Sequence, residues 1–249
     1  MTQSLAIVTG ATSGIGKSLT QHLSAQGIVV LAIGRHADKL AALNELTHSE
    51  NIIPQQCDIT DPALADIVKA RLNELNDHYT LYYLVHCATV LEPIGKLTDV
   101  SADNLNYQLQ VNVTGPAILT NACKPYFDNG GRILFISSGV SRAAIGHVIP
   151  HCAAKAAQAT LAKGYKDELA KYNIHVGIAE PGMVDTSAQA YIRSLTAEQL
   201  PFSEVARNAY NANQVDTADN CAQQIAALLC QSSSTDFSGK WPWDLTNEA

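Results

Sequence analysis

The stretch that decides the fold lies near the amino terminus, where residues 4–16 read SLAIVTGATSGIG. The apolar run at residues 4–9 is followed by a glycine-rich turn, and residues 15–25 then have the pattern of a helix that ends before Gly27. A second apolar, β-branched run at residues 28–33 completes a strand–helix–strand unit. Further compact apolar runs occur at residues 52–57, 81–86, 131–136 and 174–179, separated by longer helical stretches. Nearly continuous apolar strands in this alternation predict a doubly wound α/β fold, with a parallel sheet covered by helices on both faces.

The chain of 249 residues is predicted to form one domain over residues 1–249. Residues 183–215 interrupt the alternation, because they follow Pro181-Gly182 and contain no strong apolar run. We interpret this segment as a lid on the substrate side. A last helix at residues 219–229 and a weak closing strand at residues 237–245 are predicted after it.

The composition excludes several classes of function. Lys and Arg number 16 against 23 Asp and Glu, a formal charge of −7, so the overall field repels nucleic acid and anionic lipid. No apolar stretch reaches the roughly 18 residues that a membrane span needs, and the first residues lack the pattern of a leader peptide. Six cysteines without a C-x-x-C pair are typical of a reducing cytoplasm. We therefore expect a cytoplasmic protein with no membrane and no nucleic acid as partners.

The turn between the first strand and the first helix is a candidate phosphate-binding loop. Its glycines allow close backbone approach, and the helix start offers free N–H groups and a positive dipole end to a pyrophosphate. The alternative is a glycine turn without a ligand. The residues of this loop predicted to bind a cofactor are Gly10, Thr12, Ser13, Gly14, Ile15 and Gly16.

The end of the second strand distinguishes the two nicotinamide dinucleotides. An acidic residue there would bind the ribose 2′-hydroxyl, whereas an arginine accommodates a 2′-phosphate. The sequence reads Gly34-Arg35-His36 with no acid, and a guanidinium forms paired hydrogen bonds with phosphate. The sequence therefore favours NADP(H), unless Arg35 is a solvated loop residue.

Several motifs occur together in one order: T-G-x-x-x-G-x-G, Cys57-Asp58-Ile59, an Asn in a predicted helix, Ile136-Ser137-Ser138, a Lys, and Pro181-Gly182. In this order the chain resembles the classical short-chain dehydrogenases/reductases from end to end, and more loosely their benzil and sepiapterin reductase branch. The resemblance implies a Rossmann fold and a hydride-transfer reaction. It also implies functional residues: Ser138, Lys155 and the supporting Asn112 for the chemistry; Asp58, Ile59 and Ala88 near the adenosine side; Pro181, Gly182, Val184 and Thr186 near the nicotinamide.

Two positions depart from the family pattern. The catalytic Tyr, four residues before the Lys, is replaced by His151. The fourth-strand motif, usually Asn-Asn-Ala-Gly, reads His86-Cys87-Ala88-Thr89, so only the alanine survives. The packing around the adenosine can therefore differ from that in the rest of the family.

His151 has three interpretations. It is a proton donor acting through a water, a substitution that impairs or abolishes turnover, or a metal ligand together with His147 and Cys152. The charge of Lys155 should disfavour an imidazolium. Pro150 is expected to interrupt the helix that would align the two histidines, so we predict no metal site. Ser137 and Ser141 compete with Ser138 as the partner of a substrate carbonyl, and the spacing to Lys155 favours Ser138.

Two functions remain. One is an NADP(H)-dependent oxidoreductase acting on a small, largely apolar carbonyl or alcohol substrate, with His151 at the catalytic position. The other is a dinucleotide-binding homologue without turnover that acts as a sensor or partner subunit. The resemblance further implies a homodimer or homotetramer, formed through predicted helices at residues 101–123 and 152–171.

Overall fold

A seven-stranded parallel sheet organises the chain. The computed structural model describes residues 2–47 and 50–246. The strands are β1 (Gln3–Thr9), β2 (Val29–Gly34), β3 (Ile52–Gln56), β4 (Tyr79–His86), β5 (Phe127–Ile136), β6 (His175–Glu180), β7 (Val184–Asp185), β8 (Asp216–Thr217) and β9 (Trp243–Asp244). The sheet has the order β3-β2-β1-β4-β5-β6-β9, and β7 pairs separately with β8. The order reverses beside β1, which pairs in parallel with both β2 and β4 and so creates a crevice at the carboxyl ends of these strands.

The helices cover both faces of the sheet. They are α1 (Gly14–Ala25), α2 (Ala37–Thr47), α3 (Leu64–Leu75), α4 (Ala102–Leu109), α5 (Gly115–Cys123), α6 (Ile149–Leu169), α7 (Ser187–Ser194), α8 (Phe202–Asn211), α9 (Ala218–Gln231) and α10 (Ser234–Gly239). Leu5 and Ile7 of β1 pack in a core with residues of α3, α5 and α6. Ala6 and Val8 point to the opposite face and pack with residues of α1, α2 and α9. The predicted doubly wound α/β (Rossmann) fold is therefore confirmed.

Three local predictions need correction. The helix predicted at residues 101–123 is divided into α4 and α5 by a π-helical turn, Gln110–Thr114. Pro150 does not interrupt α6 but lies in its first turn, where its missing N–H is not needed for a helical hydrogen bond. Residues 237–245 do not form a strand throughout, since α10 extends to Gly239 and β9 has two residues.

The predicted lid, residues 183–215, is mostly helical. It contains β7, α7 and α8 and packs against the start of α6. Buried apolar side chains form this third cluster, namely Val148, Cys152, Ile192, Leu195, Leu200 and Ala206. The segment therefore carries a small core of its own beside the carboxyl ends of the strands.

All six cysteines are free thiols. Within residues 2–47 and 50–246, no helix is both long and apolar enough to cross a membrane.

Candidate active site

A cleft of about 390 Å³ opens at the carboxyl ends of the central strands. Its walls contain most of the residues predicted to bind or react: Gly10, Thr12, Ser13, Gly14, Ile15, Gly16, Arg35, Asp58, Ile59, Ala88, Ser138, His151, Lys155, Pro181 and Thr186. Asn112, Gly182 and Val184 lie outside this lining. Val184 is buried in the core on the α1 and α9 face of the sheet, and Asn112 is buried behind the cleft wall.

The glycine turn brings backbone close to backbone at the floor of the cleft. Gly10 has φ +65°, and a Cβ there would lie 2.9 Å from the backbone N and Cα of Ala88. A Cβ on Gly16 would lie 2.4 Å from the Gly10 carbonyl oxygen. Ser13 caps α1 with extended backbone but makes no capping hydrogen bond through its side chain. The first N–H groups of α1 therefore have no side-chain cap from Ser13 and are available to an anionic ligand.

Thr9 fixes the turn to the neighbouring strand. Its Oγ1 accepts hydrogen bonds from the backbone N–H groups of Cys87 and Ala88, each at 3.1 Å. The same hydroxyl donates to the Val85 carbonyl at 3.4 Å. The segment that replaces the usual fourth-strand motif therefore still borders the cleft, with Cys87, Ala88 and Thr89 in its wall.

Arg35 lies at the far end of the cleft, just past β2. Its Nη1 donates to the Tyr107 hydroxyl at 2.9 Å and lies 3.8 Å from an Asp58 carboxylate oxygen. Both members of this ion pair are more than a third exposed, so the pair contributes little to stability. Lys39, in the first turn of α2, lines the same end of the cleft. Sequence reasoning missed Lys39, although a second basic residue four positions after Arg35 was a readable signal.

The three candidate serines have different surroundings. Ser137 and Ser138 line the cleft, and the Ser137 hydroxyl is buried without a hydrogen-bond partner in the described part of the chain. Ser138 Oγ accepts a long, 3.4 Å hydrogen bond from the Val140 N–H, which leaves its own proton free to donate. Ser141 instead lies 3.3 Å from Glu180, outside the cleft lining. The structure thus favours Ser138 and Ser137 over Ser141.

Lys155 is a buried cation in the cleft wall, with 3% of its surface exposed. Its Nζ donates to the Ile136 carbonyl at 2.8 Å and to Gln158 Oε1 at 3.3 Å. Burial lowers the pKa of this ammonium to about 8, so it is mainly charged at pH 7. Its charge is held beside His151, one helical turn earlier.

Asn112 lies in the π-helical turn between α4 and α5, and two glutamines hold it. Its Nδ2 contacts the backbone carbonyl and side-chain Oε1 of Gln108 and lies 3.3 Å from the Val90 carbonyl. Gln158 Nε2 donates to the Asn112 backbone carbonyl at 3.0 Å. Both glutamines are fully buried. Sequence reasoning missed them, because a lone Gln in a helix gives no sign of its burial.

His151 is held as a neutral side chain. Its Nδ1 lies 2.9 Å from the Val90 carbonyl oxygen, which can only accept, so Nδ1 carries the hydrogen. Burial, and then the charge of Lys155, lower the pKa of the imidazole to about 4. At neutral pH the second nitrogen, Nε2, is therefore an unprotonated acceptor.

The structure does not bring together the three residues considered as metal ligands. His147 has φ +69° and its Nδ1 donates to the Gln199 carbonyl at 2.7 Å, whereas His151 donates to Val90. Cys152 is buried in the third apolar cluster. Across the described ranges, no group of three or more His, Cys, Asp or Glu side chains could hold a metal ion.

Comparisons with known proteins agree with this geometry. The family model for short chain dehydrogenase matches residues 4–196. An uncharacterized oxidoreductase of Staphylococcus haemolyticus is 30% identical over 184 residues, which cover 73% of this chain and 78% of the relative. A short chain dehydrogenase/reductase from Saccharomyces cerevisiae superposes with a TM-score of 0.86 at 24% identity, covering 98% of this chain and 96% of that one. A short chain dehydrogenase from Burkholderia cenocepacia, solved in complex with NADP, superposes with a TM-score of 0.79 at 24% identity and the same coverage.

Proposed function

The chain belongs to the short-chain dehydrogenase family, and on that premise we propose that it is an NADP(H)-dependent oxidoreductase that transfers hydride between nicotinamide and a small carbonyl or alcohol substrate. One observation carries the proposal. A single cleft runs from Arg35, past the glycine turn and the start of α1, to Ser138, His151 and Lys155. The order of these groups along the cleft matches the order of the 2′-phosphate, the diphosphate and the nicotinamide along the cofactor.

The residues present fit this cofactor. A side chain on Gly10 or Gly16 would collide with the backbone of Ala88 or of Gly10, so the tight turn that the diphosphate needs depends on both glycines, and no side-chain cap from Ser13 competes with an anion at the start of α1. Two cations, Arg35 and Lys39, line one end of the cleft and would favour a 2′-phosphate there, and the Burkholderia protein of the same fold was solved as an NADP complex. Asp58 and Ile59 would border the adenine, and Pro181 and Thr186 the nicotinamide. When bound, the cofactor supplies or accepts the hydride.

The side chains of the cleft would orient the substrate and the cofactor and would stabilise the charge that develops during the reaction. The Ser138 hydroxyl would donate a hydrogen bond to the substrate oxygen, and Lys155 would hold cofactor hydroxyls with its remaining N–H and stabilise negative charge. Asn112 acts indirectly, since it positions the Val90 carbonyl that orients His151. The Lys155 ammonium and the Asn112 side chain are held by buried hydrogen bonds, so these two groups need little rearrangement.

The third apolar cluster supports a proposal about the substrate side of the cleft. We infer that residues 183–215 act as a lid whose apolar side chains exclude water from a small, largely apolar substrate. We further propose that the protein is a single domain that works in the cytoplasm. A homodimer or homotetramer would use the faces of α4, α5 and α6, where Tyr107 and Ile118 are exposed.

Titration calorimetry with NADPH and NADH tests the cofactor assignment. The native protein should bind NADPH at least tenfold more tightly, and Arg35→Gln should lose about 10- to 100-fold in NADPH affinity, as for a lost charged hydrogen bond. Binding of NADH should not change. Lys163→Gln, the same change of charge at an exposed site outside the cleft lining, is the matched control. Equal affinity of the native protein for the two cofactors would refute NADP(H) specificity.

A dinucleotide-binding homologue without turnover is the second candidate, and the neutral state of His151 favours it. NADPH consumption with a panel of diketones and aldehydes, and NADP⁺ reduction with a panel of secondary alcohols, separate the two functions. The native protein is compared with His151→Tyr. Restoring a positioned general acid should raise a slow native rate by about 10²- to 10⁴-fold. If both proteins bind NADPH and neither turns over any substrate, the enzyme assignment is wrong and the binding function replaces it.

A further inference from the structure

His151 lines the same end of the cleft as Ser138 and Lys155, and its Nδ1 is already bonded to the Val90 carbonyl. We propose that the other ring nitrogen, Nε2, makes the reactive end of the cleft a recognition site for a hydroxyl group, so that the preferred small-molecule partner is an alcohol rather than a carbonyl compound. The inference rests on the proposed function only in taking this end of the cleft as the substrate end. It identifies the class of substrate that the site selects.

The hydrogen-bond pattern around His151 fixes which nitrogen carries the proton. The Val90 carbonyl oxygen accepts from His151 Nδ1 at 2.9 Å and from Asn112 Nδ2 at 3.3 Å. Moving the hydrogen to Nε2 would break the first of these bonds and place two lone pairs face to face. Asn112 is itself fixed by Gln108, so the carbonyl cannot easily turn away. The Nδ1–H form is therefore built into the wall of the cleft.

Nε2 is the ring nitrogen that is available to a ligand. His151 lines the cleft, and no residue in the described part of the chain makes a hydrogen bond to its Nε2. Protonation of Nε2 would bring a second positive charge beside the buried ammonium of Lys155. The Val90 carbonyl, which holds the hydrogen on Nδ1, and the Lys155 ammonium, which opposes a second positive charge, together keep Nε2 as an acceptor.

The neighbouring donors, Ser138 and Lys155, also bear on the choice between a hydroxyl and a carbonyl ligand. Ser138 Oγ–H can donate, and Lys155 has one N–H beyond its two hydrogen bonds. A carbonyl oxygen could accept from Ser138 but would face the lone pair of Nε2. A hydroxyl could accept from Ser138 and donate its proton to Nε2 at the same time. A site that pairs every polar group of one ligand and opposes a lone pair of the other discriminates between them.

Nitrogen NMR of the full-length protein, labelled with ¹⁵N in the histidine rings, tests the proposal directly. Comparison with His151→Asn assigns the resonances of His151. At pH 7 we expect hydrogen on Nδ1 and a bare Nε2. The isosteric pair 2-propanol and acetone then serves as the probe, because both are small enough to enter without a matched pocket. 2-Propanol should shift the Nε2 resonance in a saturable manner, and acetone should produce a shift at least tenfold smaller.

Four results would overturn the proposal: hydrogen on Nε2, a comparable shift with acetone, no shift with 2-propanol, or a shift produced by NADPH alone that 2-propanol does not add to. The last result would mean that a cofactor hydroxyl is the donor. The Asn variant gives a second measurement, since its carboxamide can still donate to Val90 but lacks the second nitrogen. Its affinity for 2-propanol should fall about tenfold, with that for acetone unchanged, and equal changes would also contradict the proposal.

The experiment separates this inference from the proposed function. NADPH binding is measured by calorimetry on the same samples. If 2-propanol shifts Nε2 and NADPH does not bind, the hydroxyl site stands and the cofactor assignment fails. If NADPH binds and 2-propanol leaves Nε2 unchanged, the cofactor assignment stands and the hydroxyl site fails.

Discussion

His86 should make the protein sensitive to acid, and replacing it with asparagine should remove part of that sensitivity. The imidazole is fully buried, with Nε2 2.9 Å from Thr120 Oγ1, Nδ1 unpartnered within the described ranges, and the ring 4.5 Å from that of Phe135. Burial, and to a lesser degree the charge of Lys155, lower its pKa from 6.5 to about 3. The folded protein therefore keeps His86 neutral at a pH where the unfolded chain takes up a proton.

The sign and size of the effect follow from this difference. Above pH 6.5 His86 is neutral in both states, and the stability associated with its neutrality is fully present. As the pH falls from 6.5 toward 3, only the unfolded state binds the proton, so the free energy of unfolding drops by about 1.4 kcal/mol per pH unit. Between pH 7 and pH 5 the loss from His86 is about 2 kcal/mol. His151, whose folded pKa is about 4, adds a loss of the same sign.

Urea denaturation of the native protein and of His86→Asn at pH 7, 6 and 5 measures the effect. Asparagine cannot titrate in this range, so the unfolded variant takes up no proton at this position. The loss of stability between pH 7 and pH 5 should be about 2 kcal/mol smaller in the variant. His78→Asn removes an exposed histidine and should keep the native pH dependence. An equal loss in His86→Asn and the native protein would show that His86 titrates normally in the fold and would refute the argument.

Two further substitutions test the turn and the buried carboxylate. Gly10→Ala should lower the free energy of unfolding by about 1–2 kcal/mol because of the left-handed backbone alone, and the contact of the new Cβ with Ala88 should add to this loss. The control is Gly164→Ala, at an open helical position, which should not destabilise the protein. Equal melting temperatures for the two variants would contradict the reasoning. Arg142→Met removes the ion-pair partner of Glu180, whose side chain is 7% exposed, and should cost about 1–3 kcal/mol in urea denaturation. Adding Glu180→Gln should recover most of that loss, and a double variant as unstable as the single one would show that the carboxylate is not the cause.

The sequence alone determined the architecture and the outline of the cleft. Apolar runs, glycines and helix-start signals are local properties, and the turn after β1 needs only neighbouring residues to form. The order of strand and helix predicted the doubly wound sheet, and the edge position of β3 agrees with Pro54 in its middle. The closing segment after α9 was predicted poorly, because a short apolar stretch with aromatic residues has no distinct period.

Only the tertiary structure decided the chemical state of the site. The sequence placed His151 four residues before Lys155, but the tautomer is set by the carbonyl of Val90, which is 61 positions away along the chain. Likewise, Gln158 bonds Lys155 within α6 and also bonds Asn112, which lies in a separate element, the π-helical turn. Hydrogen-bond partners and the loss of solvent depend on which distant segments pack together, and a local residue pattern carries no record of them.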